Sequence, residues 1–219
     1  LERLYDVCEI ARRHPELEML GRVIARPFVG NGADQPFKRT FNRRDLAMPC
    51  PGDNLLDLSA AAGQSVCAIG KVSDIFAGRG VTKKVKASNN ADITDKLISS
   101  LENDTATGVI FANLVEFDSE YGHRRDVPGY AAALERFDKL LPKVRAAMKP
   151  GDLAVITADH GNDPTAPGSD HTREQVPAIF FGPDVATGNL GICDGMADMG
   201  QTMAKHLGLG PLGEGKALF

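Results

Sequence analysis

The sequence predicts an α/β layered domain with a largely parallel sheet, joined to a smaller α+β unit. Four short, nearly unbroken apolar runs, VCAIGKV (66–72), TGVIFANLV (107–115), DLAVIT (152–157) and PAIFFG (177–182), have the length and composition of strands covered on both faces. Helical patterns lie between them, and strand–helix alternation of this kind builds a parallel sheet with its functional loops at the carboxyl ends of the strands. The first 64 residues break that rhythm, which marks them as a separate unit.

Taken in order, LERLYDVCEIARR reads as an amphipathic helix already in progress at Leu1, so the chain is expected to be a piece of something longer. GRVIARPFVGNGADQPFKRTFNRRDLAMPCPGD then carries dense Arg, Pro and Gly punctuation with only brief apolar runs, as in an irregular α+β unit. The boundary is expected near Gly63, giving units 1–64 and 65–219. Between the second and third runs, Tyr130, Leu134, Phe137, Leu141, Val144 and Met148 recur at three- and four-residue steps, and KPG at 149–151 ends the helix. Pro142 falls inside this pattern and removes a backbone donor, which predicts a kink or a break. Met196, Met199, Met203 and Leu207 form a last stripe, expected to fill core.

Composition excludes several roles. A net charge of −4 and scattered Lys and Arg give no basic field for nucleic acid. No apolar run reaches the roughly 18–20 residues of a membrane span, and no signal peptide opens the chain. Cys8, Cys50, Cys67 and Cys193 form no CxxC pair and read as free thiols of a reducing compartment, hence a cytoplasmic location.

The chemistry concentrates in two loops that leave strands. After TGVIFANLV comes EFDSEYGHRRD, with Asp118 and His123 five residues apart. After DLAVIT come Asp159, His160 and, eleven residues later, His171. Three of the five histidines thus sit in strand-exit loops with an aspartate close by, a set of oxygen and nitrogen ligands for divalent metal. Two such loops are what a dinuclear site requires, in which metals about 4 Å apart clamp a phosphoryl group. The plainer alternative is that these Asp and His residues cap turns. His14 and His206 lie in helical segments and read as surface or packing residues. GRG at 78–80 lacks the spacing of a phosphate loop.

The segments NLVEFDSEYGHRRDVPGY, ITADHGNDPTAPGSDHTREQVP, GRVIARPFVG, FKRTFNRRD and AIGKVSDIFAGRGVT closely resemble the phosphopentomutase family of the alkaline phosphatase superfamily, in the family's order and over nearly the whole chain. The resemblance implies an alkaline-phosphatase-like α/β core with part of a small cap, and two Mn²⁺ ions, although Zn²⁺ suits an all-N/O donor set as well. It implies that Asp159 and His160 hold one metal and that Asp118, His123 and His171 hold the other. Arg22, Arg39 and Lys71 match family positions that face the sugar phosphate, where an arginine fork can take a phosphate through two hydrogen bonds. By composition alone these three are surface charges.

The implied activity interconverts ribose 1-phosphate and ribose 5-phosphate, and the deoxy sugars, through a phosphothreonine and a bisphosphorylated sugar, with a sugar bisphosphate as activator. The family draws its threonine and a further metal-binding aspartate from N-terminal strands that have no match here. The chain alone is therefore expected to lack mutase activity and to favour the metal of Asp118, His123 and His171. A metal-dependent phosphohydrolase of the same superfamily and a non-catalytic metal-binding fragment are the alternatives.

Overall fold

The computed structural model of the chain describes residues 1–104 and 107–219. Contacts divide it into two units, residues 1–51 with 74–78, and residues 52–73 with 79–219.

The first unit is α+β. Helix α1 (Glu2–Arg13) buries Tyr5 and Cys8, one turn apart, against Ala25, Val23 and Leu46. Those partners belong to β1 (Arg22–Ala25) and β4 (Arg44–Ala47), an antiparallel pair in which Arg22 faces Ala47. Arg44 lies over the Tyr5 ring at 3.9 Å, and the Tyr5 hydroxyl donates to the Asn42 carbonyl at 2.7 Å. A second small pair, β2 (Phe28–Val29) and β3 (Lys38–Arg39), is also antiparallel.

The second unit opens with α2 (Leu55–Ala61), started by a capping box in which Asn54 accepts from Leu56 and Asp57 while Asp57 accepts from the Asn54 amide. This helix precedes the boundary expected at Gly63, yet it packs on residues 65–69 and 197–206 of the larger unit. Strand β5 (Ser65–Ile69) is central in a parallel sheet of order β6, β5, β7, where β6 is Lys83–Val85 and β7 is Gly108–Ala112. The turn α3 (Val72–Ile75) follows β5, and α4 (Asn90–Asn103) is the crossover between β6 and β7. Val66, Cys67, Ala68 and Ile69 are all buried, as a strand covered on both faces requires. Ile93 of α4 packs with Cys67 and Ile69 at the centre of this core.

Helix α5 (Val127–Ala147) runs on through Pro142 without a break. Proline there costs one backbone bond near the helix end, and Val144, two residues on, is buried and ties the last turns to the core. Leu134, expected on the inner stripe, is 53% exposed, and Ala133 is buried instead. The last runs become β8 (Ala154–Ile156) and β9 (Ile179–Phe181), paired antiparallel rather than added in parallel. No helix lies between them, and a parallel return needs a crossover, usually helical. Helix α6 (Ala197–His206) buries Met199 but leaves Met196, just before it, 47% exposed; Asp198 and Thr202 complete its inner face.

The core assignment makes a direct prediction. Ile93→Ala should cost about 2–5 kcal/mol in denaturant unfolding, the usual range for truncating a buried isoleucine. Leu134→Ala should stay within about 0.5 kcal/mol of the parent, and equal losses at both positions would contradict this packing.

Candidate metal centre

The first ligand loop leaves the carboxyl end of β7. It is anchored where Glu116 and Asn90, at the start of α4, bond reciprocally: Asn90 N donates to Glu116 Oε2 at 2.8 Å, and Glu116 N to Asn90 Oδ1 at 3.1 Å. The chain then makes a π-helical segment, Phe117–Gly122, closed by the His123 amide donating to the Asp118 carbonyl at 2.9 Å. This local geometry gives the five-residue spacing its meaning. In an α-helix residues five apart diverge by about 140°, at roughly 100° per residue, whereas an i→i+5 turn brings the two back toward one side. His123 Nε2 accordingly lies 3.5 Å from Asp118 Oδ1. Burial, and secondarily the Asp118 charge, push the neighbouring Tyr130 phenol above its ordinary pKa.

The second loop leaves β8 and is pinched at its base by a bridge between Gly161 and Thr172, with Asp163 N donating to Thr172 Oγ1 at 2.6 Å. A Cβ at Gly161 would fall 2.7 Å from Glu174 N and from the Thr172 carbonyl, so only glycine allows the approach. The pinch makes neighbours of His160 and His171, whose rings stack with centroids 3.7 Å apart. Turn capping, the plainer role for a loop aspartate, belongs to Asp163. Its Oδ1 accepts from Thr165 Oγ1 at 2.7 Å and Thr165 N at 2.8 Å, bonds that hold its carboxyl below the usual range.

The two loops meet at Asp118. His171 Nε2 is 3.2 Å from Asp118 Oδ1 and 3.3 Å from His123 Nε2, and with the 3.5 Å contact between His123 and Asp118 these close a triangle. Ligand atoms at about 2.0–2.2 Å from a divalent ion lie about 2.8–3.6 Å apart in tetrahedral or octahedral shells, so all three edges suit one metal. The tautomers agree. His123 Nδ1 sits 2.5 Å from the Ser169 carbonyl and His160 Nδ1 3.0 Å from the Gly161 carbonyl. A carbonyl only accepts, so each Nδ1 carries a proton, and in the neutral ring that leaves Nε2 as the nitrogen available to a metal. His160 reaches the same place: Asp118, His160 and His171 offer donor atoms all within 4.8 Å of one another. Asp159, 77% exposed at its side chain, stands 3.7 Å from His160 Nε2, so the adjacent position has two donors among the predicted ligands.

A family model described as the metalloenzyme superfamily matches residues 57–211, a span that includes all five of these residues. The chain belongs to the metalloenzyme superfamily. Curated relatives are phosphopentomutases of Methylobacterium sp. (strain 4-46), 57% identical over 95% of this chain and 51% of the relative, and of Sinorhizobium fredii, 48% identical over 100% of this chain and 54% of the relative. A phosphopentomutase of Legionella pneumophila (strain Corby) is 50% identical over 98% and 53%. The chain thus spans about half the length of the curated relatives it matches. Among solved structures, a Leishmania mexicana phosphoglycerate mutase superposes with a TM-score of 0.57 at 21% identity, covering 74% of this chain and 38% of that one. That likeness carries the fold alone, an alkaline-phosphatase-like α/β core.

Other residues singled out in this metalloenzyme chain are placed differently. Arg22 is committed to Asp45: its Nε donates to Oδ1 at 3.2 Å and its Nη2 pairs with Oδ2, while Arg43 reaches the same carboxylate at 2.8 Å. The bond from Arg22 is the main cause that holds the Asp45 carboxyl below its ordinary pKa. Arg39 is exposed and lines a small pocket of about 150 Å³ with Arg26, Pro27, Thr40 and Arg43. Lys71 is exposed just beyond the end of β5. His206 Nε2 bonds the Gly151 carbonyl at 2.9 Å, and His14 Nδ1 accepts from the Glu16 amide at 3.3 Å, both structural roles. No helix among the described residues is long and apolar enough to cross a membrane.

Sequence reasoning missed the residues that hold the ligands. Ser169, Asn162 and Arg125 all bond into the two loops, and nothing in the HRRD string separates Arg125 from Arg124, which pairs with Glu120 at 2.8 Å. For the ligands themselves, Asp118→Ala should weaken Mn²⁺ binding in calorimetry by more than the roughly 10- to 100-fold that loss of an outer hydrogen-bond partner costs. Asp170→Asn, beside His171 but outside the triangle, should bind as the parent does.

Proposed function

We propose that the chain is the metal-binding part of a phosphopentomutase, which interconverts ribose 1-phosphate and ribose 5-phosphate, and the deoxy sugars, through a phosphothreonine and a bisphosphorylated sugar. The observation that carries the reading is the Asp118, His123 and His171 triangle, with edges of 3.2–3.5 Å, in a chain 48–57% identical to proteins of that name. Asp118, His123 and His171 would hold one Mn²⁺, and Asp159 with His160 would contribute to a second; the same donors suit Zn²⁺. When bound, the two ions neutralise a transferring phosphoryl group and align the attacking and leaving oxygens.

The chain's own residues do the positioning. His123 and His160 hold Nδ1 against backbone carbonyls and so turn Nε2 toward the ion position. Arg39, with Arg26 beside it, gives a cationic pocket suited in size and charge to one phosphate, and Lys71 and Arg22 are the further candidates for the sugar phosphate. Arg22 would bind while retaining or exchanging its bond to Asp45. No residue of the chain is assigned as nucleophile. A sugar bisphosphate would prime the threonine, and the enzyme would work in the cytoplasm.

In a protein of the relatives' full length carrying these residues, ribose 5-phosphate supplied with Mn²⁺ and a sugar bisphosphate should yield ribose 1-phosphate. Release of inorganic phosphate in its place would mean hydrolysis and overturn the mutase reading.

Arg39→Lys in the same enzyme should raise KM for ribose 5-phosphate with metal content unchanged, because the two-pronged fork is lost while the charge stays. Parental kinetics would return Arg39 to the solvated surface.

A further inference from the structure

One side chain ties the two ligand loops together. Arg125 donates from Nε to the Gly168 carbonyl at 2.6 Å, from Nη1 to the carbonyls of Asp163 at 2.7 Å and Gly122 at 3.3 Å, and from Nη2 to the Asp170 carbonyl at 2.5 Å. A fifth bond runs from Nη1 to Asn162 Oδ1 at 3.0 Å. Gly122 belongs to the first loop and the other four acceptors to the second, so all three guanidinium nitrogens are spent on joining them. None of the five is a carboxylate, which sets Arg125 apart from the surface arginines paired with acids. Its backbone lies at φ +55°, a conformation uncommon outside glycine.

The fifth bond reaches the metal ligand. Arginine has no acceptor, so the Asn162 amide must turn its oxygen to Arg125 and its NH₂ away. That NH₂ donates to Asp118 Oδ1 at 2.9 Å, the same oxygen that forms the triangle with His123 and His171. The relay needs glycine at 122, since a Cβ there would lie 2.2 Å from Asn162 Nδ2. Lysine could not replace Arg125, because a single ammonium cannot span acceptors set around a planar fork.

We propose that Arg125 and Asn162 are positioning residues of the metal centre: Arg125 fixes the second loop against the first, and through Asn162 it sets the Asp118 carboxylate for the ion before the ion binds. This rests on the metal-centre reading above.

The test is Mn²⁺ titration of the parent chain, Arg125→Lys, Asn162→Ala, their double variant and the control Arg124→Ala, with melting temperature and the electron paramagnetic resonance of bound Mn²⁺ recorded for each. Arg125→Lys and Asn162→Ala should each lose about 10- to 100-fold in affinity and broaden the bound Mn²⁺ spectrum. Because the two act in one relay, the double variant should lose no more than about twofold beyond the worse single one. Arg124→Ala should bind like the parent. Should Arg125→Lys fail to fold, Asn162→Ala still reads the last step of the relay. Parental affinity and spectrum in Asn162→Ala, or fully additive losses in the double variant, would overturn the proposal. A parent chain that binds no Mn²⁺, with Asp118→Ala indistinguishable from it, would overturn the metal reading beneath it.

Discussion

One constraint dominates the loops of the larger unit: a carboxylate from one loop and imidazoles from two loops meet within 3.2–3.5 Å. Such a cluster is unfavourable to assemble from flexible parts, because each side chain loses rotamer freedom and polar groups lose water. The solution here is to hold the loops rather than the ligands. β7 and β8 deliver the two loops, the Glu116–Asn90 pair anchors one, the Gly161–Thr172 pinch closes the other, and Arg125 joins them. By the time the ligand side chains are considered, little freedom is left to remove.

Backbone geometry explains why the ligand spacings look unremarkable as sequence. A five-residue gap matches neither helical nor strand periodicity, and it becomes a shared face only in the π-helical segment Phe117–Gly122. The eleven-residue gap from His160 to His171 means nothing until the pinch folds the loop on itself and stacks the two rings. Both devices depend on glycine where backbones or an amide approach closely, at Gly161 and Gly122. A glycine-bearing loop is normally read as pliable, but these glycines serve rigidity.

Much of the fold could be read from apolar runs, because β5 is buried along four consecutive residues and a buried strand must be written that way. The antiparallel pairing of β8 with β9 could not, since it turns on the lack of a helix in a loop whose composition resembles any other loop. Leu134 obeyed helical periodicity yet faces solvent, which shows that a wide apolar stripe does not settle which edge is covered. The aspartates and histidines were legible because those residue types are rarely gathered at strand exits without a use. Arg125 and Asn162 were not, since their work is done by contacts to carbonyls and one amide, and backbone acceptors leave no mark in a sequence.

The two candidate metal positions differ in a way that bears on their chemistry. Asp118, His123 and His171 give three donors, of which Asp118 is turned by Asn162 and His123 by the Ser169 carbonyl, whereas Asp159 and His160 give two, His160 turned by the Gly161 carbonyl and Asp159 on an exposed side chain. Affinity rises with the number of donors held in place, because each one already ordered avoids an entropic cost at binding. By that count the set of Asp118, His123 and His171 is the better prepared of the two candidate positions for an ion. The second set is open on the Asp159 side, where a donor from outside these residues has room to complete a coordination shell. The asymmetry lies in the number of donors and in the exposure of Asp159, since His123 and His160 are each turned by a backbone carbonyl, and it needs no appeal to any difference between the ions.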